Sequence, residues 1–283
     1  MKPPLLHPKT QKLLAALLED LPQALIVTGK VGTGTFEVAT HIAQTLGAHE
    51  EVLLPKKKSK DGKKFDVDIE NGRVVTEDIR SLYDSVRGKQ TSPRVFIIRK
   101  ADRLMPNAQN ALLKLLEEPS KNVYFILETY NSEALFATIR SRAQTLDVLP
   151  ITAEQTNALI KDLGITDATR RIQLKFIAEG LPAELQKLVE NEEYFNIRAE
   201  RMNDARQFLQ SNAYDKLLII QKYQTSRENT LQLLDSALHI TRHTVVNNPQ
   251  HALITQLNSL LTLKEKIAGN QNIRLQMTEF ALG

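Results

Sequence analysis

The segment Gly29-Lys30-Val31-Gly32-Thr33-Gly34-Thr35-Phe36 holds the first chemistry this chain can offer. Glycines at 29, 32 and 34 let backbone N–H groups converge on phosphate oxygens where a helix begins. A nucleotide-hydrolysing loop then needs Lys, to carry charge to the β- and γ-phosphates. After it comes Ser or Thr, to offer a hydroxyl to Mg²⁺. Thr35 and Phe36 occupy those two positions. Lys30 sits too early in the loop to replace the missing Lys. Taken alone, the glycines also suit a plain turn between a strand and a helix.

A second segment repeats the pattern. Val95-Phe96-Ile97-Ile98 follows Ser92-Pro93 and has the short apolar run of a buried parallel strand. In P-loop hydrolases such a strand ends in an Asp that helps hold Mg²⁺, usually followed by a Glu that orients water. Here the pair is Arg99-Lys100, whose charge repels a metal ion. The frame is that of an ATPase, while the residues predict no hydrolysis in cis.

These segments need elements to position them. Residues 24–28, 95–98 and 123–127 read as strands, and 37–46 as a helix with Val38, Ile42 and Leu46 on one face. Strand and helix alternate up to Pro150, which predicts an α/β core with a parallel sheet over 1–149. After Pro150 no strand pattern remains. Short helices broken at Gly164 and at Gly180-Leu181-Pro182 predict a small helical domain over 150–193. Long patterns at 217–223 and 231–246 predict an all-helical domain over 194–283.

Composition narrows the classes further. The 283 residues are 25% charged, with mean hydropathy −0.29, and no apolar run is long enough to span a bilayer. Met1 to His7 has no signal-peptide core. With no cysteine, disulfides and cysteine–zinc sites are excluded, and a reducing cytoplasmic location is expected. The formal charge of +4 permits contact with nucleic acid without requiring it. The one charge run, Lys56 to Lys64, has Asp61-Gly62 at its centre and is flanked by Val52-Leu53-Leu54 and by Phe65, Val67 and Ile69. It predicts a hairpin whose lysines either face water or touch DNA phosphates. Asp66, Asp68 and Glu70 alternate along its second arm and face solvent. His239 and His243 have the spacing of a metal pair on a helix but no third ligand, so no metal is expected.

Residues 101–119 describe a helix with Asn107 as its cap, a stripe of Ala111, Leu112, Leu115 and Leu116, and Pro119 as its stop. The literal string Asn110-Ala111-Leu112-Leu113-Lys114-Leu115-Leu116-Glu117-Glu118-Pro119 closely resembles the clamp-loader branch of the AAA+ ATPases. Thr138-Ile139-Arg140-Ser141-Arg142-Ala143-Gln144 is similar to that branch's Ser-Arg-Cys motif, with Ala143 in place of Cys. Residues 77–82 and 270–279 resemble further family segments, so the likeness runs through the whole chain.

The resemblance implies an AAA+ core, a helical lid and a helical collar joining a ring of subunits. It implies a part in loading the sliding clamp onto primed DNA for a bacterial DNA polymerase III holoenzyme. Partners would be the ATPase subunits, the clamp-opening subunit, the sliding clamp and primer–template DNA. Arg142 matches the arginine that the family projects into a neighbour's ATP site, and a guanidinium suits that task because it is always charged. A surface arginine paired within its own chain is the plainer account of it. Family zinc cysteines are missing, so zinc is not expected. The lid segment Gly180-Leu181-Pro182-Ala183-Glu184 carries no sensing Arg, and Glu128-Thr129 stands near the family's first sensor. No cofactor is expected, and ATP is not expected to bind productively. Two rivals stay open: an AAA+ ATPase with an unusual site using Lys30 or Lys100, and an ATP-independent DNA adaptor using the Lys56–Lys64 hairpin.

Overall fold

The computed structural model describes every residue except 1–2, 60–64, 70, 87–90, 118 and 283. The core opens with α1 (Pro8–Glu19), β1 (Ala24–Gly29), α2 (Thr35–Thr45), β2 (His49–Leu53), β3 (Lys56–Lys58) and β4 (Phe65–Val67). It continues with α3 (Thr76–Val86), β5 (Arg94–Ile98), α4 (Pro106–Glu117), β6 (Val123–Thr129), α5 (Ala137–Arg140) and β7 (Gln144–Val148). Helices alone follow: α6 (Ala153–Asp162), α7 (Ala168–Ala178), α8 (Pro182–Glu190), α9 (Glu192–Gln210) and α10 (Ala213–Tyr223). The last are α11 (Arg227–Asn247), α12 (His251–Ala268) and α13 (Ile273–Leu282). Two compact units result, residues 1–186 and 187–283.

In the first unit five parallel strands run in the order β2-β5-β6-β1-β7. Helices cover both faces, which is why the three central strands are apolar nearly throughout. One face buries Ile26, Phe96, Ile98, Phe125 and Leu127 against Ile79, Leu112 and Ile139. Phe96 and Phe125, on neighbouring strands, stack with their centroids 5.5 Å apart. The other face buries Leu25, Val27, Val95, Ile97 and Ile126 against Leu14, Val38 and Ile42.

Several expectations need correction. Asn107 is not a cap: α4 begins at Pro106, whose fixed φ suits the first helical position. Val52 and Leu53 are not a hairpin arm, because β2 pairs in parallel with β5 at the sheet edge. The antiparallel pair is β3–β4, with Lys56 opposite Val67 and Lys58 opposite Phe65. Lys56 is not a free hairpin lysine, since its Nζ lies 2.8 Å from the Asp78 carboxylate. Asp66 faces solvent as expected, whereas Asp68 lies past the strand and accepts a bond from the Asn71 N–H at 2.8 Å. Residues 60–64, the hairpin tip, and Glu70 lie outside the described residues.

Past the sheet, Thr152 and Gln155 cap α6 reciprocally, at 3.2 and 3.0 Å. Gly180 ends the turn after α7 with φ of +74°, and its carbonyl accepts from the Ile151 N–H at 2.8 Å. A Cβ there would stand 2.6 Å from the Ile151 carbonyl oxygen. In the second unit Phe195, Phe208, Ile220, Leu233, Leu260 and Met277 are buried. Asp204 accepts from Lys222 Nζ at 2.6 Å and from the Tyr223 hydroxyl at 2.8 Å. Burial first, then the bond to Asp204, pushes the Tyr223 hydroxyl up to about 12. The bonds to Asp204 and Glu200 raise Lys222 as well.

Gly180→Ala meets both a left-handed conformation and the Ile151 carbonyl, and costs about 2–3 kcal/mol. Gly47→Ala, with positive φ but open space around the added Cβ, costs about 1 kcal/mol. Urea melts of the two variants separate these values. Tyr223 has a folded-state value raised above its unfolded one, so its stabilisation is complete below about pH 10 and drains away as pH climbs through about 12. Thermal melts across that window fall with pH, and Tyr223→Phe flattens the fall.

Candidate functional site

The phosphate-loop segment joins β1 to α2. Gly32 and Gly34 hold φ of +92° and +88°, the conformation such a loop demands. Thr33 turns the loop on itself, its N–H and hydroxyl both donating to the Lys30 carbonyl, at 3.1 and 2.8 Å. Lys30 itself pairs with Glu179 at 3.5 Å. The Ala183 N–H, at the start of α8, donates to the Gly32 carbonyl at 3.1 Å. The glycine loop and the Gly180–Glu184 segment are thus joined backbone to backbone.

Thr35, where a P-loop carries its Lys, opens α2 and is buried. Its hydroxyl donates to Glu128 Oε1 at 2.6 Å. Glu128, fully buried at the end of β6, takes the Lys100 N–H on its other oxygen at 2.9 Å. A buried carboxylate needs such donors, because removing an unpaired one from water costs several kcal/mol. Lys100 sits in the left-handed region, with φ of 47°. Phe36 and Arg99, the two other substituted motif residues, meet each other: the guanidinium carbon lies 4.3 Å from the ring centroid. Burial, and next the Glu128 carboxylate, pushes the Tyr130 hydroxyl up to about 12. Thr129 donates to Asp102 at 2.9 Å and accepts from the Asn131 N–H at 3.0 Å.

The structure therefore gathers Gly29, Gly32, Gly34, Thr35, Arg99 and Lys100 at the carboxyl ends of β1 and β5, where open α/β sheets place their ligands. Val27 pairs with Glu128 and Ile98 with Leu127, so β6 delivers Glu128 between the two motifs. Sequence reasoning placed Glu128 near a sensor and missed it as the partner of Thr35. One sign was available: a lone carboxylate closing the run Val123-Tyr124-Phe125-Ile126-Leu127 must be partnered if that strand is central.

Arg142 lies elsewhere. Leu25 pairs with Gln144, which puts the Ser141-Arg142-Ala143 turn at the amino-terminal edge of the sheet. The glycine loop follows the far end of β1, about five strand residues or ~16 Å along. Arg142 cannot serve the loop of its own chain. Its Nη1 donates to the Thr138 carbonyl and its Nη2 to Glu117 Oε1, both at 3.0 Å, and its side chain stays 36% exposed. It borders a cavity of about 350 Å³ shared with Pro22, Gln23, Leu116 and Pro119. Arg140 instead pairs with Glu133.

Other candidates bring less together. The His239 and His243 rings stand 6.5 Å apart, centroid to centroid. Among the described residues no group of three or more His, Cys, Asp or Glu is placed to hold a metal ion. No described helix is long and apolar enough to cross a membrane.

A family model described as "DNA polymerase III, delta subunit" matches residues 7–152, just over half of the chain. DNA polymerase III subunit delta' of Bacillus subtilis is 25% identical over 98% of this chain and 95% of its own length. The protein of the same name from Haemophilus influenzae is 42% identical over 26% of this chain and 24% of its own. Among solved structures, the Thermotoga maritima RuvB Holliday junction branch migration motor covers 84% of this chain and 78% of its own, at 15% identity and a TM-score of 0.50. That likeness concerns the fold alone, a parallel sheet with helices and a helical region after it. The chain belongs to the DNA polymerase III delta-subunit family, in the clamp-loader group of AAA+ proteins.

Proposed function

We propose that this chain is a clamp-loader subunit that hydrolyses no ATP itself and donates Arg142 to the ATP site of a neighbouring subunit. The engagement of the substituted motif residues by partners within the chain carries the reading. Thr35 is bonded to Glu128 and Phe36 lies against Arg99, so the positions that would hold phosphate and Mg²⁺ are occupied by intrachain partners. A carboxylate beside the loop repels a triphosphate, and Arg99 repels its metal. Arg142, on the opposite edge of the sheet, keeps a partly exposed guanidinium.

In this reading the 1–149 core and the part of the 150–193 lid that lies in the first unit, residues 150–186, form a fixed block, tied by Lys30–Glu179 and by Ala183 to Gly32. The 194–283 helices join the collar of the ring. Partners are the loader's ATPase subunits, its clamp-opening subunit, the sliding clamp and the primer–template DNA that the ring holds. The finger supplies charge to a transferring γ-phosphoryl group in trans, an effect worth about 10³–10⁵ in rate where it operates.

The isolated chain should give no heat on titration with MgATP, with any dissociation constant weaker than about 1 mM. Tight, Mg²⁺-dependent binding with phosphate release would overturn the non-hydrolysing assignment. For the finger, the assay is a reconstituted loader in which only the ATP site facing this chain is left competent. Arg142→Ala should lower clamp- and DNA-stimulated turnover by about 10³-fold while the ring still assembles. Unchanged turnover would remove the finger role.

A further inference from the structure

We propose that Glu117 is the positioning residue for Arg142, fixing the plane and direction of the guanidinium before a neighbour's nucleotide reaches it. The inference rests on the finger reading and adds the group that aims the finger. Arg142 is held at both ends of its fork, Nη1 on the Thr138 carbonyl and Nη2 on Glu117 Oε1. Thr138 belongs to Arg142's own turn, four residues back, and holds only the local conformation. Glu117 comes from α4, 25 residues away, and ties the guanidinium to a helix packed on the sheet. A guanidinium fixed at two points from two elements has a set plane, which one contact cannot give.

The placement of Glu117 supports the same role. It is the last residue of α4. The exposed carbonyls of a helix C-terminus disfavour a carboxylate there, so Glu117 weakens its own helix end unless a cation answers it. Arg142 is that cation. The pair is partly exposed on both sides, at 36% and 49%, so water screens it and it parts easily. It therefore orients the arginine without trapping it, and a triphosphate, carrying more charge than one carboxylate, takes the guanidinium over. Arg140, two residues earlier, has its own carboxylate in Glu133 and does not compete for Glu117.

The test uses the reconstituted loader with a single competent ATP site, clamp and primed DNA, and five forms of this chain: wild type, Glu117→Gln, Glu117→Asp, Arg142→Ala and the double variant of Glu117→Gln with Arg142→Ala. Glu117→Gln keeps the shape and removes the charge. It should lower kcat by about tenfold with KM for ATP unchanged, as expected for a misdirected catalytic group. The double variant should match Arg142→Ala alone, because a residue acting only through Arg142 has nothing left to aim. Glu117→Asp, which keeps the charge on a shorter arm, should fall between wild type and Glu117→Gln. Wild-type turnover for Glu117→Gln beside an impaired Arg142→Ala would overturn the positioning role and leave the finger standing. A double variant slower than Arg142→Ala would also overturn it, since Glu117 would then act through some other group. Wild-type turnover for Arg142→Ala would end both readings.

Discussion

The buried carboxylate of Glu128 sets what the central sheet can do. It lies where β1, β5 and β6 finish together, with Thr35 on one oxygen and the Lys100 N–H on the other. Each partner is thereby committed. Thr35 cannot point its hydroxyl at a phosphate while it satisfies Glu128. Lys100 is held in a left-handed turn that starts the short 3₁₀ turn Ala101–Arg103. An unpartnered carboxylate at zero exposure would cost more than most single interactions in a domain contribute. The three elements must therefore be in place together, and the substituted motifs behave as one unit.

Phe36 and Arg99 complete the same exchange. A P-loop enzyme keeps polar groups open there for a ligand, at the cost of leaving them unpaired when the ligand is absent. Here an aromatic face receives a guanidinium, and a hydroxyl receives a carboxylate. The backbone still follows the phosphate-loop path, because positive φ at Gly32 and Gly34 is kept. Loop shape is set by the glycines and loop chemistry by the side chains beside them, which is why glycine spacing alone says so little about nucleotide use.

How much of this was legible in the sequence depended on burial. The central strands β1, β5 and β6 are covered on both faces and read as apolar runs. The edge strand β2, His49-Glu50-Glu51-Val52-Leu53, opens on polar residues, and its short apolar end, continued by Leu54, reads as the flank of the lysine hairpin instead. The other edge, β7, does alternate, with Leu146 and Val148 inside and Gln144, Thr145 and Asp147 outside. That period of two was readable but lay hidden beside the Ser-Arg-Ala motif. The helices after Pro150 were marked by their own punctuation, at Gly164 and Gly180. At the site, motif positions could be read one by one, whereas the pairing of Thr35 with Glu128 joins residues 93 apart and depends on strand order. Lys56 was misread for a related reason: a charge run shows its composition, while Asp78 is brought to it only by the fold.

The parallel sheet has a consequence for inheritance. Its two ends are more than ~10 Å apart, so substitutions at one end add independently to those at the other. Amino acids at the Gly29–Phe36 end can drift without any compensating change around Ser141-Arg142-Ala143. Residues placed at opposite ends of such a sheet can be exchanged one group at a time, with neither end constraining the choice of side chains at the other.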